Sequence, residues 1–167
     1  IVKTVIPDFR ISDSDIAKDV SFAKSVGAKF KRSVNCDLNP EKLKQEGFRY
    51  VVVAIGATFH TFVDLQGGKS LNAIEFLYDY KHKKDSLNLG KNVAIIGGGS
   101  TAMDAARAAK RISENVAIIY RRSFKQMPAE KEELELAIED KIEFKNLLSP
   151  ISYDGKILKC EKMRLGA

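Results

Sequence analysis

Three consecutive glycines, Gly97-Gly98-Gly99, stand between a strand-like run, Val93–Ile96, and an alanine-rich stretch with helical spacing that opens near Ser100. A G-x-G-x-x-A turn carries meaning only in that context, with a strand before it and a helix after it. Gly97 permits the tight turn and Gly99 lets the backbone come close to a pyrophosphate. Ala102 is small enough for the helix to lie close to its strand. The unpaired N–H groups and the positive dipole end of the helix then face an anion. Ala102, Ala105, Ala106 and Ala109 recur at helical spacing, so one face of that helix carries minimal side chains suited to a sheet.

A second strand pattern, Val116–Tyr120, follows at the distance expected of a βαβ unit. The end of that strand is where an acidic residue binds the ribose 2′-hydroxyl of NAD. This chain has Tyr120-Arg121-Arg122-Ser123 instead. Two guanidiniums there could pair bidentately with the 2′-phosphate of NADP. The ordinary reading of the same residues is a solvated basic loop, but the glycine turn beside it favours NADP over NAD.

Elsewhere the chain reads as alternating helices and strands, the pattern of an α/β fold. Ser12 offers an N-cap with Asp15 three residues on, and Ile16, Val20, Ala23 and Val26 continue at helical spacing to a stop at Gly27. Lys29–Val34 and Tyr50–Ile55 read as strands, with a short helix at Pro40–Glu46 between them. Leu71–Tyr80 fits an amphipathic helix, and Pro128 is expected to start an acid-rich one. Ile142–Leu147 is a strand candidate. Residues 151–164 read as a hairpin turning at Asp154-Gly155. Residues 1–57 form a flanking helix-and-strand segment and 58–167 the nucleotide-binding domain. The expected architecture is a Rossmann-like three-layer α/β domain with a parallel sheet and a small C-terminal β-hairpin.

Composition removes several classes. The chain carries 28 Lys and Arg against 22 Asp and Glu, a net charge of +6, but the basic residues are scattered. The cluster Lys81-His82-Lys83-Lys84 ends a predicted helix, where cations suit the dipole. No glycine-aromatic platform for stacked bases accompanies the charge, so no nucleic-acid partner is expected. The apolar runs are strand-length, which argues against a membrane span. Cys36 and Cys160 lie far apart, and His60 and His82 are isolated. No metal site, redox dithiol or nucleophilic triad follows from them, and two reduced cysteines fit a cytoplasmic protein. Asp104 reads as a helix-surface charge and Glu130 as a helix N-terminal one. No catalytic acid or base is assigned. The opening Ile-Val-Lys-Thr-Val lacks an initiator methionine and suggests a piece of a longer chain.

Several segments together resemble one family. Ile6-Pro7-Asp8-Phe9-Arg10-Ile11 is similar to the "IPxFR" stretch of the glutamate synthase small-subunit family of flavin reductases, and Val53–Ala57 to that family's "ATGA" strand end. Gly97–Arg107 resembles its GGGNTAMDAAR signature, and Tyr120–Ala129 its "YRRS…MPA" segment. The matches keep their order over nearly the whole chain. Ser100 stands where the family usually has Asn, and Ile55 where it has Thr.

The resemblance implies an NADPH-binding domain inserted within an FAD-binding one. Hydride passes from nicotinamide to flavin and electrons go on to iron–sulfur clusters or a partner. Gly97, Gly99, Ser100 and Thr101 would meet the pyrophosphate, and Gly98 and Ala102 are counted with them as cofactor-binding residues. Arg121 and Arg122 would meet the 2′-phosphate, and Gly56 and Ala57 would lie near the crossover between domains. The family's flavin turn, its Gly-Asp motif and its cysteine-rich segments are not found in these 167 residues. FAD is therefore expected only loosely here, and the isolated fragment is expected to be inactive. Its partners would be the FAD-binding and iron–sulfur segments of the same parent. The alternative is a non-catalytic module that senses NADP(H) or NAD(H) through the same turn.

Overall fold

A computed structural model describes residues 1–31, 39–56, 63, 65–68 and 70–166. In chain order the elements are α1 (Asp13–Ser25), α2 (Pro40–Gln45), α3 (Ala73–Lys83), β1 (Asn92–Ile96), α4 (Ser100–Lys110), β2 (Asn115–Tyr120), α5 (Lys131–Glu139), β3 (Glu143–Asn146), β4 (Leu148–Tyr153) and β5 (Leu158–Lys162). Two compact units result: Ile1–Ile16 with Phe62–Ala167, and Ala17–Thr61.

The larger unit is Rossmann-like. Its sheet runs β1-β2-β3, and both pairings are parallel. Parallel neighbours need a crossover, here supplied by α4 and then α5. Seven of the eleven residues of α4 are buried, five of them alanines, so the helix lies close to its neighbours as the alanine spacing predicts. Met103 and Ile118 have no exposure and Leu77 of α3 only 2%. Fully burying side chains of this size stabilises a fold by about 1.5–3 kcal/mol each. Helix α3 begins at Ala73 rather than Leu71 because Asn72 caps it: the Asn72 Oδ1 accepts from the N–H of Ile74 at 2.8 Å and of Glu75 at 3.2 Å.

The predicted hairpin is present as the antiparallel pair β4–β5. Its turn is set by Asp154, whose Oδ1 accepts from the N–H of Lys156 at 2.9 Å and of Ile157 at 2.8 Å. The register shifts between Pro150 and Ser152, next to a residue with no N–H to give.

Helix α5 starts at Lys131, three residues later than the sequence suggests. Glu130 and Glu133 form a reciprocal capping box that fixes this start. Pro128 and Ala129 are instead drawn toward the glycine turn, where the Ala129 N–H donates to the Gly98 carbonyl at 3.1 Å.

In the smaller unit α2 is capped by Asn39, whose Oδ1 accepts from the N–H groups of Glu41 and Lys42. The Tyr50–Ile55 strand does not form: residues 50–56 carry no regular secondary structure. A strand needs a neighbour to complete its hydrogen bonds, and no strand pairs with this run among the described residues. Of the Lys29–Val34 strand, residues 29–31 are irregular and the rest lies outside the described residues, as do Cys36, Ala57 and His60.

Candidate functional site

The glycine turn leaves the carboxyl end of β1, and Arg121-Arg122 leaves the carboxyl end of β2. These strands are adjacent and parallel, with Ile96 paired to Ile119. The Gly97 N–H continues the ladder to the Ile119 carbonyl at 3.0 Å. Both segments therefore open on the same edge of the sheet, where open α/β folds receive their ligands.

Each glycine of the turn has its own reason. Gly97 has a φ of +138°, a conformation that side chains rarely allow, and a Cβ there would stand 3.4 Å from that of Ala102. Ala102 is buried on this contact, so its smallness serves the packing of helix on strand. A Cβ on Gly98 would fall 2.8 Å from the Tyr120 ring and 3.2 Å from the Met127 Cγ, so the second glycine is required by protein atoms. Gly99 differs: the nearest atom to its Cβ position is the Pro128 Cγ, at 4.0 Å. Among the described residues no other atom comes within 4 Å of that position.

Gly99 is also the N-cap of α4, which has no side-chain cap and no acid in its first turn. Ser100 and Thr101 are the first residues of that helix. Such an end presents N–H groups and a positive partial charge of about half a unit. Ser100, replacing the family's Asn, changes none of this, because the backbone carries it.

Arg121 and Arg122 are exposed and take part in no ion pair among the described residues. Their backbone is held: the Leu147 N–H donates to the Arg122 carbonyl at 3.2 Å. Behind them the loop is a rigid frame. The Tyr120 hydroxyl donates to the Gln126 carbonyl at 2.8 Å, and Ser123 and Gln126 close a capping box around a 3-10 turn at 124–126. The Phe124 ring meets Phe144 edge-on, with centroids 5.2 Å apart. The Ser-x-x-Gln spacing was a signal of this frame that the motif reading passed over. Gly56, with a φ of +75°, belongs to the smaller unit, and Ala57 lies outside the described residues.

Asp104 is not a surface charge. It is buried, as is Glu133, and Arg10 joins them. The Arg10 Nη1 donates to both Asp104 oxygens at 2.9 Å, and its Nη2 pairs with the Glu133 carboxylate. Burial pushes the Asp104 carboxyl above its ordinary range, while the hydrogen bonds and charge of Arg10 work against that rise. The adjoining arm is held further along its length. Arg107 and Arg111 lie over the Phe9 ring, and the buried Lys81 Nζ reaches Asp8 at 2.8 Å and the Ile6 carbonyl at 3.0 Å. Lys81 thus does more than sit at a helix end, as its cluster suggests: it is tied to the arm.

Sheet, turn and uncapped helix end define a Rossmann-like domain. Within that class, the sequence pattern of the pyridine nucleotide-disulphide oxidoreductases matches residues 15–147, and the chain belongs to this family. It is 42% identical over 159 residues to an Escherichia coli K12 protein named "Putative oxidoreductase YgfK", covering 93% of this chain and 15% of that one. It is 29% identical to the NADP(+)-dependent formate dehydrogenase subunit beta of Moorella thermoacetica, over 96% of this chain and 24% of that one. It is 30% identical to a Cereibacter sphaeroides protein named as a "Putative glutamate synthase" small chain of the NADPH type, over 96% of this chain and 43% of that one. The chain thus spans less than half the length of each of these relatives.

Proposed function

We propose that this chain is the NADPH-binding portion of a flavin-dependent oxidoreductase. In this reading it presents the nicotinamide of NADPH to an FAD held mainly by other segments of a longer polypeptide. Electrons then pass to iron–sulfur clusters or to a partner. The observation that carries the reading is the open position beside Gly99 among the described residues. It lies at an uncapped helix end, on the same sheet edge as two arginines that pair with no carboxylate among the described residues.

The N–H groups of Ser100 and Thr101 would donate to pyrophosphate oxygens, and Gly99 would allow their close approach. Arg121 and Arg122 would pair with the 2′-phosphate, where the bidentate fork of arginine fits phosphate geometry. Bound NADPH supplies the hydride, and the chain supplies placement and electrostatics. Gly98 and Ala102 act by letting the turn close, and Gly56 and Ala57 would lie near the passage to the flavin-binding segments. NADH is admitted as a weaker ligand. The setting in this reading is the cytoplasm, and no helix among the described residues is long and apolar enough to cross a membrane.

The test is a titration of the chain with NADPH and with NADH at moderate salt. Preferential NADPH binding, weakened by about ten-fold or more in Arg121→Ala/Arg122→Ala, is the expected result. Equal affinity for the two nucleotides, unmoved by that double substitution, would remove the assignment of the arginines. Flavin reduction by NADPH in the longer protein separates electron transfer from a nucleotide-sensing role, which binds NADPH without passing hydride on.

A further inference from the structure

The cluster of Arg10, Asp104 and Glu133 lies away from the glycine turn yet grips both of its flanks. Asp104 opens the second turn of α4, whose first residue follows Gly99. Glu133 stands in the first turn of α5 and closes the capping box with Glu130. Glu130 directly follows Ala129, whose N–H is bonded to Gly98. One guanidinium therefore ties the helix that begins at the turn to the helix whose entry segment covers it. The residues it joins are 94 and 123 positions away in the chain.

Charge adds to geometry. Asp104 and Glu133 bring two buried carboxylates behind a helix end suited to anions, where like charge weakens phosphate binding. Arg10 hydrogen-bonds both. Arg107 also acts on Asp104, but its own hydrogen bond goes to Asp140, at 2.7 Å.

We propose that Arg10 is a positioning residue of the dinucleotide site: it sets the gap between the α4 N-terminus and the 128–130 segment, and it offsets the carboxylates behind that gap. The proposal rests on the nucleotide reading given above. It makes the Ile6–Arg10 arm part of the site without contact between Arg10 and the ligand.

The experiment compares the chain with R10K, R10Q and R10Q/D104N by titration with NADP+, together with amide hydrogen exchange at Gly98–Thr101 and Ala129. R10Q is expected to bind about ten-fold more weakly, within the range usual for coupling between sites, and to exchange the Ala129 amide faster. R10K should fall between R10Q and the unaltered chain. R10Q/D104N should recover part of the affinity, because the Asp104 charge is gone and only that of Glu133 is left without Arg10. A merely structural clasp gives the opposite result, since the double variant lacks the Asp104 ion pair as R10Q does and would bind no better. That result, or unchanged affinity in R10Q, overturns the proposal. If the unaltered chain binds no NADP+, the nucleotide reading has failed. Arg10 is then judged on exchange alone, and an unchanged rate at Ala129 in R10Q overturns its positioning role.

Discussion

Two runs of nearly equal apolar character meet opposite fates. Val116–Tyr120 becomes the middle strand of the sheet, and Ile118 within it has no exposure. Tyr50–Ile55 stays irregular, and Val52 within it is 88% exposed. The difference is not propensity, since both runs are rich in β-branched residues. Val116–Tyr120 has a parallel neighbour on each side and a helix to cover it. Tyr50–Ile55 has neither among the described residues. A strand that is apolar on both faces belongs in a doubly covered sheet. The sequence announces that need but does not say whether it is met.

The sharpest way to break the comparison is to cut one branched side chain of each run back to alanine. Ile118→Ala is expected to cost about 2–5 kcal/mol, while Val52→Ala should stay within about 0.5 kcal/mol, as exposed substitutions do. Urea unfolding of both variants reads the difference. A Val52→Ala cost as large as that of Ile118→Ala would mean the run is packed in solution. Next in size is Gly98→Ala, which probes how tightly the covered half is closed. The new methyl would overlap the Tyr120 ring, and overpacking of this kind costs about 1–3 kcal/mol. The penalty should shrink in a Tyr120→Ala background, and equal penalties in both backgrounds would remove Tyr120 as the cause.

The smallest effect concerns acid. Burial works upward on the Asp140 carboxyl, but the hydrogen bond and charge of Arg107, with Arg111, outweigh it and hold the group below the ordinary carboxylate range. A carboxylate lowered by folding contributes stability above its unfolded value of about 3.9, and that contribution is lost as pH falls through the folded value. Asp140→Asn should therefore be slightly less stable at neutral pH and lose less stability on acidification. Thermal unfolding across pH 2–7 tests it, and parallel curves for the two proteins would count against the pairing.

What could be read in advance was local. The glycine turn, the alanine face of α4, the Ser12 cap and the Asp154-Gly155 hairpin each depend on residues a few positions apart, and each takes shape where the spacing puts it. The misreadings share another cause. Asp104 looks like any acid on a helix until Arg10, 94 residues earlier, is brought against it. Pro128 looks like a helix start until Ala129 bonds to Gly98. Of the turn itself, the roles of Gly97 and Ala102 in packing were legible. The reason for Gly98 was not, because it lies in a ring that follows on the next strand. Where β-like runs found no neighbour, as at Tyr50–Ile55, pattern promised a strand that only pairing could deliver.

The bond from Ala129 to Gly98, with the Tyr120 hydroxyl on Gln126 and Met127 against the turn, has a consequence for how this protein can diverge. The stretch from Tyr120 to Ala129 cannot be exchanged as a cassette, since its inner residues are the lid of the turn itself. The charged residues of that stretch, Arg121, Arg122 and Lys125, are exposed and take part in no ion pair among the described residues. Drift at this edge of the molecule is thereby channelled into a few outward positions. A descendant that swapped the charge there could do so in one or two codons, while one that lengthened or shortened the loop would have to rebuild the glycine turn as well.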